Sequence, residues 1–395
     1  MAEQNPTLVY IDMDYRAGRA LLVRSDDMEA ELPFEGPATS AIAGARFFPA
    51  LPFYLVRLHS GKEIAFELPN DVGEAPLRGR KVVYLDQNAW SRLAEIRAGA
   101  STGDVDEDEA GARLIELVQE NKLVLPFSGA TLNETSHWTK QEARLRLGEF
   151  ILEFSRGWQM VNPLDMRREE ISRVLHRHSE EEAESAFPAP WTLSPVAIGG
   201  LHQPPVEIDG ILGQNPDLVQ MMDAMVSVNV AVDTLLSEDP MPRVDREGWR
   251  NHWNQLSSAL EDGGAPKENR SKGALFGAFM DAREEVRAVA EEIGHDSRDA
   301  AEWLCRSAFK DYALMPAFGL ACEVIRLKLM SGAKWQMNDL ADIFYFVQAA
   351  GYADAVVGER SFTSFVRDAQ RRLGRDQIAF RCFKDLLGSD VLPVD

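Results

Sequence analysis

Cysteine is scarce in this chain of 395 residues: only Cys305, Cys322 and Cys382 occur, and no two form a close pair in sequence. Neither a disulfide framework nor a zinc site is indicated. No apolar run approaches the roughly 18 residues that a membrane span needs. The start, Met1-Ala2-Glu3-Gln4-Asn5-Pro6, lacks the basic residues and apolar stretch of a signal peptide. The expectation is therefore a cytoplasmic protein with no membrane partner. Gly199-Gly200 has no P-loop context, and no GxSxG or other nucleophile motif occurs. Positive charge is also in short supply, with 42 Lys and Arg against 63 Asp and Glu and a net charge of -21. That balance argues against broad electrostatic capture of nucleic acid. It does not exclude a nuclease, because a site built from carboxylates is acidic by necessity and metal ions reverse its local sign. Cations are dense only near the C-terminus, at Arg360, Arg367, Arg371, Arg372, Arg375, Arg381 and Lys384, which reads as a solvated helix face.

The length suggests two or three domains. Residues 1–78 read as a small β domain. Thr7–Ile11 and Ala20–Arg24 flank a turn at Arg16-Ala17-Gly18, and Phe53–Leu58 and Lys62–Phe66 flank His59-Ser60-Gly61, a hairpin signal. A linker rich in Pro, Gly and charge follows, and residues 79–163 change character. Val82 to Leu85 is a short continuous apolar run, as expected of a parallel strand covered on both faces. Helix is expected over Ala89–Ala98 and Ala110–Glu120, a strand over Leu123–Leu125, and one long helix over Leu132–Ser155. The acidic run Asp104–Glu109 lacks the glycine and distal glutamate of a calcium loop and reads as a charged helix start. Residues 164–332 are mainly helical, with a loop rich in Pro and Gly at Phe187–Pro205 and helical spacing over Ala300–Met330. Residues 333–395 return to α/β order, with helix 339–350, strand Ala355–Val357 and further helices. An α/β core of parallel strands, split by a helical insertion, explains this order.

Six acids stand where this order places strand ends and helix starts. In open parallel sheets ligands bind beyond the carboxyl ends of strands. Asp86 is at that end of Val82–Leu85, and Glu359 is just past that end of Ala355–Val357. Glu134 falls in the first turn of the helix after Leu123–Leu125, and Asp339 and Asp342 in the first turn of the helix before Ala355. Asp354 precedes the same strand. Each position also has a plain structural reading. Thr131-x-x-Glu134 spells a capping box. Asn338 can cap its helix, with Asp339 and Asp342 favoured by the dipole. Asp354 can start a strand, and Glu359-Arg360 can be a surface turn. Asp86 differs, since a carboxylate after four apolar residues is costly to bury unpaired. Glu134-x-x-His137 has the spacing of di-iron bundles but lacks a second such pair. His176 and His178 read as part of a solvated helix. Trp90, Trp138 and Trp335 lie near the acids, where they either stack on bases or fill the core.

The residues Tyr84-Leu85-Asp86-Gln87-Asn88, Ser128-Gly129-Ala130-Thr131-Leu132-Asn133-Glu134, and Trp335 to Asp342 continuing through Tyr352 to Arg360 resemble the PIN-like nuclease family, in a bacterial branch. The resemblance covers residues 80–163 and about 310–385. It implies a PIN-like central parallel sheet with helices on both faces. It also implies metal ligation, with Asp86, Glu134 and Asp342 as first-choice ligands and Glu359 as the following acid. Asp354 is an added acid outside the family pattern, and Glu359 and Asp354 would support a second ion or water. Asn88 orients a ligand or is a turn residue, and Asp339 is a secondary candidate. The chain departs from the family pattern at Glu359, where aspartate is usual, which puts the second metal position in doubt.

An oxygen-only site suits Mg2+ or Mn2+. Two such ions activate water and neutralise charge in phosphodiester hydrolysis. The expected function is a metal-dependent endoribonuclease, with RNA favoured over DNA by the resemblance alone, acting as a toxin or phage-defence effector. The competing expectations are a non-catalytic scaffold that binds a protein partner or a second copy of itself, and a structure-selective DNA nuclease.

Overall fold

In a computed structural model the described residues are 7–33, 41–51, 53–69, 77–178, 187–193, 216–237, 239–242 and 245–393. Gly199-Gly200 and most of the expected loop Phe187–Pro205 lie outside them. The chain is mixed α/β and divides into two compact units. Met1–Arg80, Leu117–Met160 and Trp191–Met241 form the first; Lys81–Glu116, Val161–Pro190 and Pro242–Asp395 form the second. Among the described residues no helix is long and apolar enough to cross a membrane.

The first unit holds an antiparallel six-stranded sheet. Its spatial order is Glu29–Pro33, Arg19–Arg24, Leu8–Asp14, Ile42–Phe48, Phe53–Leu58 and Glu63–Glu67. Both expected hairpins form. Strand alternation puts Tyr54, Val56, Leu58, Ile64 and Phe66 in the core while Arg57 and Glu63 point outward. Glu67 ends the last strand and accepts from both arms of Arg80, at 2.8 and 2.9 Å, and from the Trp158 indole at 2.9 Å. That carboxylate fastens the sheet edge to the segment that returns at Trp158.

The long helix expected over Leu132–Ser155 is two helices, Gly129–Ser136 and Gln141–Ser155. The break has a local cause. Ser136 Oγ donates to the Asn133 carbonyl at 2.8 Å, and His137 Nδ1 lies 2.7 Å from the same oxygen. Side chains that satisfy the last carbonyls compete with the backbone that would extend the helix. His137 thus has a structural engagement. The capping box also differs from expectation: Ser128 is the cap and Thr131 its reciprocal partner, which places Glu134 beyond the first turn.

In the second unit three strands run parallel, in the order Ala379–Phe380, Ala355–Val357 and Lys81–Leu85. Val82 to Leu85 and Ala355 to Val357 are all at most 2% exposed, as the continuous apolar runs require. The acidic run is the start of helix Val105–Gln119, with Asp106, Glu107 and Asp108 in its first turn. Its acids bind protein groups: Glu107 accepts from Arg92 and from the Lys384 amide, each within 2.9 Å, and Asp104 pairs with Lys384. The helical spacing over Ala300–Met330 is broken before Pro316, and Arg375 donates to the carbonyls of Ala313, Met315 and Pro316 in that break.

Glu170, fully buried on helix Pro163–His178, caps a different helix from the side. It accepts the amides of Ala317 and Phe318 at 2.7 Å each, in the first turn of Pro316–Ser331, and the Tyr352 hydroxyl at 2.5 Å. Gly351 lets its helix approach this junction, since a Cβ there would stand 2.8 Å from the Pro316 carbonyl oxygen. Removing the carboxylate strands three buried donors. Glu170→Ala should therefore lower stability by about 3 kcal/mol or more, read from denaturant midpoints, whereas a loss under about 0.5 kcal/mol, as at an ordinary surface position, would contradict the role assigned to Glu170.

Candidate functional site

At the carboxyl ends of Lys81–Leu85 and Ala355–Val357 two acids meet. The Asp86 amide donates to the Val357 carbonyl at 3.0 Å, continuing the strand pairing by one residue. The Asp86 side chain then divides its oxygens. Oδ1 accepts from Ala89 at 2.7 Å and caps helix Gln87–Arg97; Oδ2 accepts from the Glu359 amide at 2.8 Å. One carboxylate thus fixes both the helix that leaves the first strand and the loop that leaves the second. Gly358 makes this possible, because a Cβ there would meet the Phe346 ring at 2.3 Å and Asp86 Oδ2 at 3.1 Å.

Glu359 is exposed and occupies the cap position of helix Arg360–Arg372, where its carbonyl accepts the Thr363 amide but its side chain makes no cap bond. Its Oε1 instead accepts from Asn88 Nδ2 at 2.8 Å. The glutamate's longer arm is therefore held, and the Asn88 carbonyl oxygen remains as a third oxygen donor. Asp86, Asn88, Glu359, Arg92, Arg360 and Arg381 line one open cleft of the second unit.

Burial pushes the Asp86 carboxyl up to about 6; the amides of Ala89 and Glu359 oppose that shift, the Glu359 charge adds to it and Arg92 opposes it. The group titrates where a proton or a cation can compete for it.

The other acids are arranged differently. Asp342 begins a stretch of π-helix, Asp342–Phe346, inside the run from Asp339 to Tyr352. Such widened turns are rare and recur at functional sites. Asp342 is half-buried one turn before Phe346, whose ring packs against Tyr84 and Phe362 beneath Gly358. It is not among the residues lining the cleft of Asp86 and Glu359.

Asp354 corrects the expected ligand set. It precedes Ala355–Val357, at the amino edge of the sheet, where it accepts from Lys81 Nζ at 2.7 Å and the Val82 amide at 2.8 Å. The strand and Gly358 put about 16 Å of extended backbone between it and Glu359, so it clamps two strands and stands apart from the cleft. Asp339, the secondary candidate, is buried in an ion pair with Lys328 at 2.8 Å and accepts the Gln336 amide at 2.5 Å. Glu134 lies in the first unit, half-buried on Gly129–Ser136. Among the described residues no group of three or more His, Cys, Asp or Glu is placed to hold a metal ion.

Trp90 and Trp335 are core residues, at most 2% exposed, and Trp335 stacks on Trp253 with centroids 5.2 Å apart. Trp138 is exposed, in the first unit. The polar cleft residues that sequence reasoning missed are Ser91, Arg92, Glu95, Ser361 and Ser364, while Arg360 and Arg381 were read only as solvated charge. Serines carry no local signal. Arg360, next to Glu359, was the readable one.

Comparison with protein-family models, with curated proteins and with solved structures finds no match for this chain.

A folded-state value raised from 3.8 to about 6 means that the proton favours folding. That contribution is fully present below pH 3.8 and is lost as pH rises through about 6. Above it the native state carries a buried charge worth about 3 kcal/mol. In chelator-treated protein, the melting temperature of Asp86→Asn relative to the wild type should fall between well above pH 6 and pH 4, as the wild-type carboxyl gains its proton. Asparagine keeps an oxygen for Ala89 but turns a donor to the Glu359 amide, so a constant cost from that lost bond is superposed on the pH-dependent difference. A difference in melting temperature that is constant with pH would contradict the buried-charge account.

Proposed function

We propose that the protein is a divalent-metal-dependent phosphodiesterase, an endoribonuclease, working at the cleft of Asp86 and Glu359. One observation carries the reading: a half-buried, proton-poised carboxylate ends one parallel strand and accepts the backbone amide of a second acid, past the neighbouring strand, on the same open cleft.

The donor set fits a hard cation of a particular kind. Mg2+ binds through one or two carboxylates and keeps waters and substrate phosphate in its remaining positions. Asp86, Glu359 and the Asn88 carbonyl oxygen match that demand, and Mn2+ takes the same oxygens. A closed cage of protein ligands is not required. When bound, the ion would supply acidified water and charge neutralisation at phosphate.

The protein's own groups do the rest. The amides of Ala89 and Glu359 fix the orientation of Asp86. Asn88 holds Glu359 so that its carboxylate need not be ordered on binding. The guanidinium groups of Arg360 and Arg381 counter the charge of a phosphodiester that enters among acids. The resemblance to PIN-like nucleases adds RNA as the preferred polymer and Asp342 as a supporting acid. Glu134 has no part in a reading that rests on the second unit alone.

A second reading also has an observation in its favour. Both Asp86 oxygens already serve backbone amides, and no third acidic or histidine ligand joins them among the described residues. A scaffold protein would use Asp86 in the same way, as a tie.

Turnover separates the two. The purified protein with Mn2+ should cut single-stranded or structured RNA, and Asp86→Asn should abolish cutting while the fold persists. Asn88→Ala, which frees Glu359, should slow it by about 10–100-fold. Equal rates of cutting by wild type and Asp86→Asn would overturn the assignment of the chemistry to Asp86, and no cutting by either would leave the scaffold.

A further inference from the structure

Part of the cleft wall is basic. Arg360 opens helix Arg360–Arg372, and Arg381 follows strand Ala379–Phe380; both are exposed and both line the cleft. Neither side chain has a carboxylate partner among the described residues. Several other exposed arginines are held in ion pairs: Arg113 with Glu116, Arg146 with Glu142, Arg306 with Glu302 and Arg371 with Asp368, all within 3.0 Å.

The two guanidinium groups are also placed by their surroundings. Ser364 Oγ donates to the Arg360 carbonyl at 2.9 Å and accepts from Arg381 Nη2 at 3.3 Å. One serine thus joins the helix that carries Arg360 to the side chain of Arg381. Arg360, Ser364 and Arg367 are spaced i, i+4, i+7, which places them on one helix face. Arg360 and Arg367 are about 10 Å apart along the axis. Arg367 also lacks a carboxylate partner among the described residues and makes only a 3.4 Å contact with Gln377.

The lining contains no aromatic side chain. Base stacking, the usual source of affinity for unpaired bases, is therefore missing from this wall. Guanidinium and hydroxyl groups recognise phosphate and sugar.

We propose that Arg360 and Arg381, with Arg367 about two turns along the helix from Arg360, bind the sugar-phosphate backbone of a nucleic-acid strand at the cleft of Asp86, and that Ser364 is a positioning residue for Arg381. This rests on the phosphodiesterase reading of the same cleft. It adds that the strand is held by its phosphates, with little regard to base.

The test uses the full chain carrying Asp86→Asn, so that the probe survives. Fluorescein-labelled oligouridylate, oligoadenylate and oligothymidylate of equal length are titrated by anisotropy over a series of KCl concentrations. Arg360→Ala with Arg381→Ala should weaken binding by about tenfold or more and lower the salt slope by roughly one per arginine. Ser364→Ala should weaken it less, and Arg306→Ala should leave it unchanged. Uridylate and adenylate should bind alike, and a difference between uridylate and thymidylate identifies the sugar preferred. In the otherwise wild-type chain, the arginine pair should raise KM more than it lowers kcat.

Unchanged affinity in the double variant, with its melting temperature retained, overturns the proposal. If the arginines govern binding but the wild type cuts nothing with Mn2+, the strand site stands and the phosphodiesterase reading fails. If the wild type cuts and the arginine pair leaves KM unaltered, the phosphodiesterase reading stands and the strand site falls.

Discussion

The architecture of the cleft depends on one carboxylate with two backbone amides to satisfy. Asp86 receives the N–H of Ala89 on one oxygen and that of Glu359 on the other. The first bond starts a helix; the second sets where the chain leaves the neighbouring strand. Glu359, Arg360 and the helix behind them take their positions from that second bond, and Asn88, the second residue of the first helix, then reaches Glu359. Gly358 lets the backbone come close enough, against the Phe346 ring on one side and Asp86 on the other. The cost is a carboxylate kept from water, which shows in its elevated pKa. A group in that condition is stabilised by a proton or a cation, the property a metal ligand needs.

The parts of this arrangement that follow from short-range pattern were legible in the sequence. Val82 to Leu85 announces a covered strand, and the acid after it announces the carboxyl edge. Ala355 to Val357 followed by Gly358-Glu359 does the same for its neighbour. What the sequence hid was decided by residues far along the chain. Asp354 and Glu359 both flank Ala355–Val357, but only the direction of the strand and the location of Lys81 show that Asp354 serves the opposite edge. Asp339 resembles an ordinary helix-start acid until Lys328 is seen buried against it. The cap at Ser128 was missed because Thr131-x-x-Glu134 satisfies the same spacing rule three residues later, and the rule does not say which match the backbone uses.

The excess of negative charge also takes on a different meaning once it is placed. Much of it lies in surface ion pairs or in clamps such as Glu67, Glu107 and Glu170, which satisfy amides and guanidinium groups that the fold leaves over. That Arg360 and Arg381 have no carboxylate partner among the described residues, on the one cleft that also exposes Glu359, gives the cleft both signs of charge at short range. A strongly acidic protein can in this way present a local surface suited to a polyanion.

The central claim is that Asp86 and Glu359 jointly hold a divalent cation. Calorimetric titration of Mn2+ into the wild type, Asp86→Asn and Glu359→Gln tests it most directly. The account predicts saturable binding to the wild type, accompanied by proton release near pH 6 where Asp86 is half-ionised, with loss of binding in Asp86→Asn and weaker binding in Glu359→Gln. Binding of equal strength in all three proteins, or none in the wild type, would contradict it.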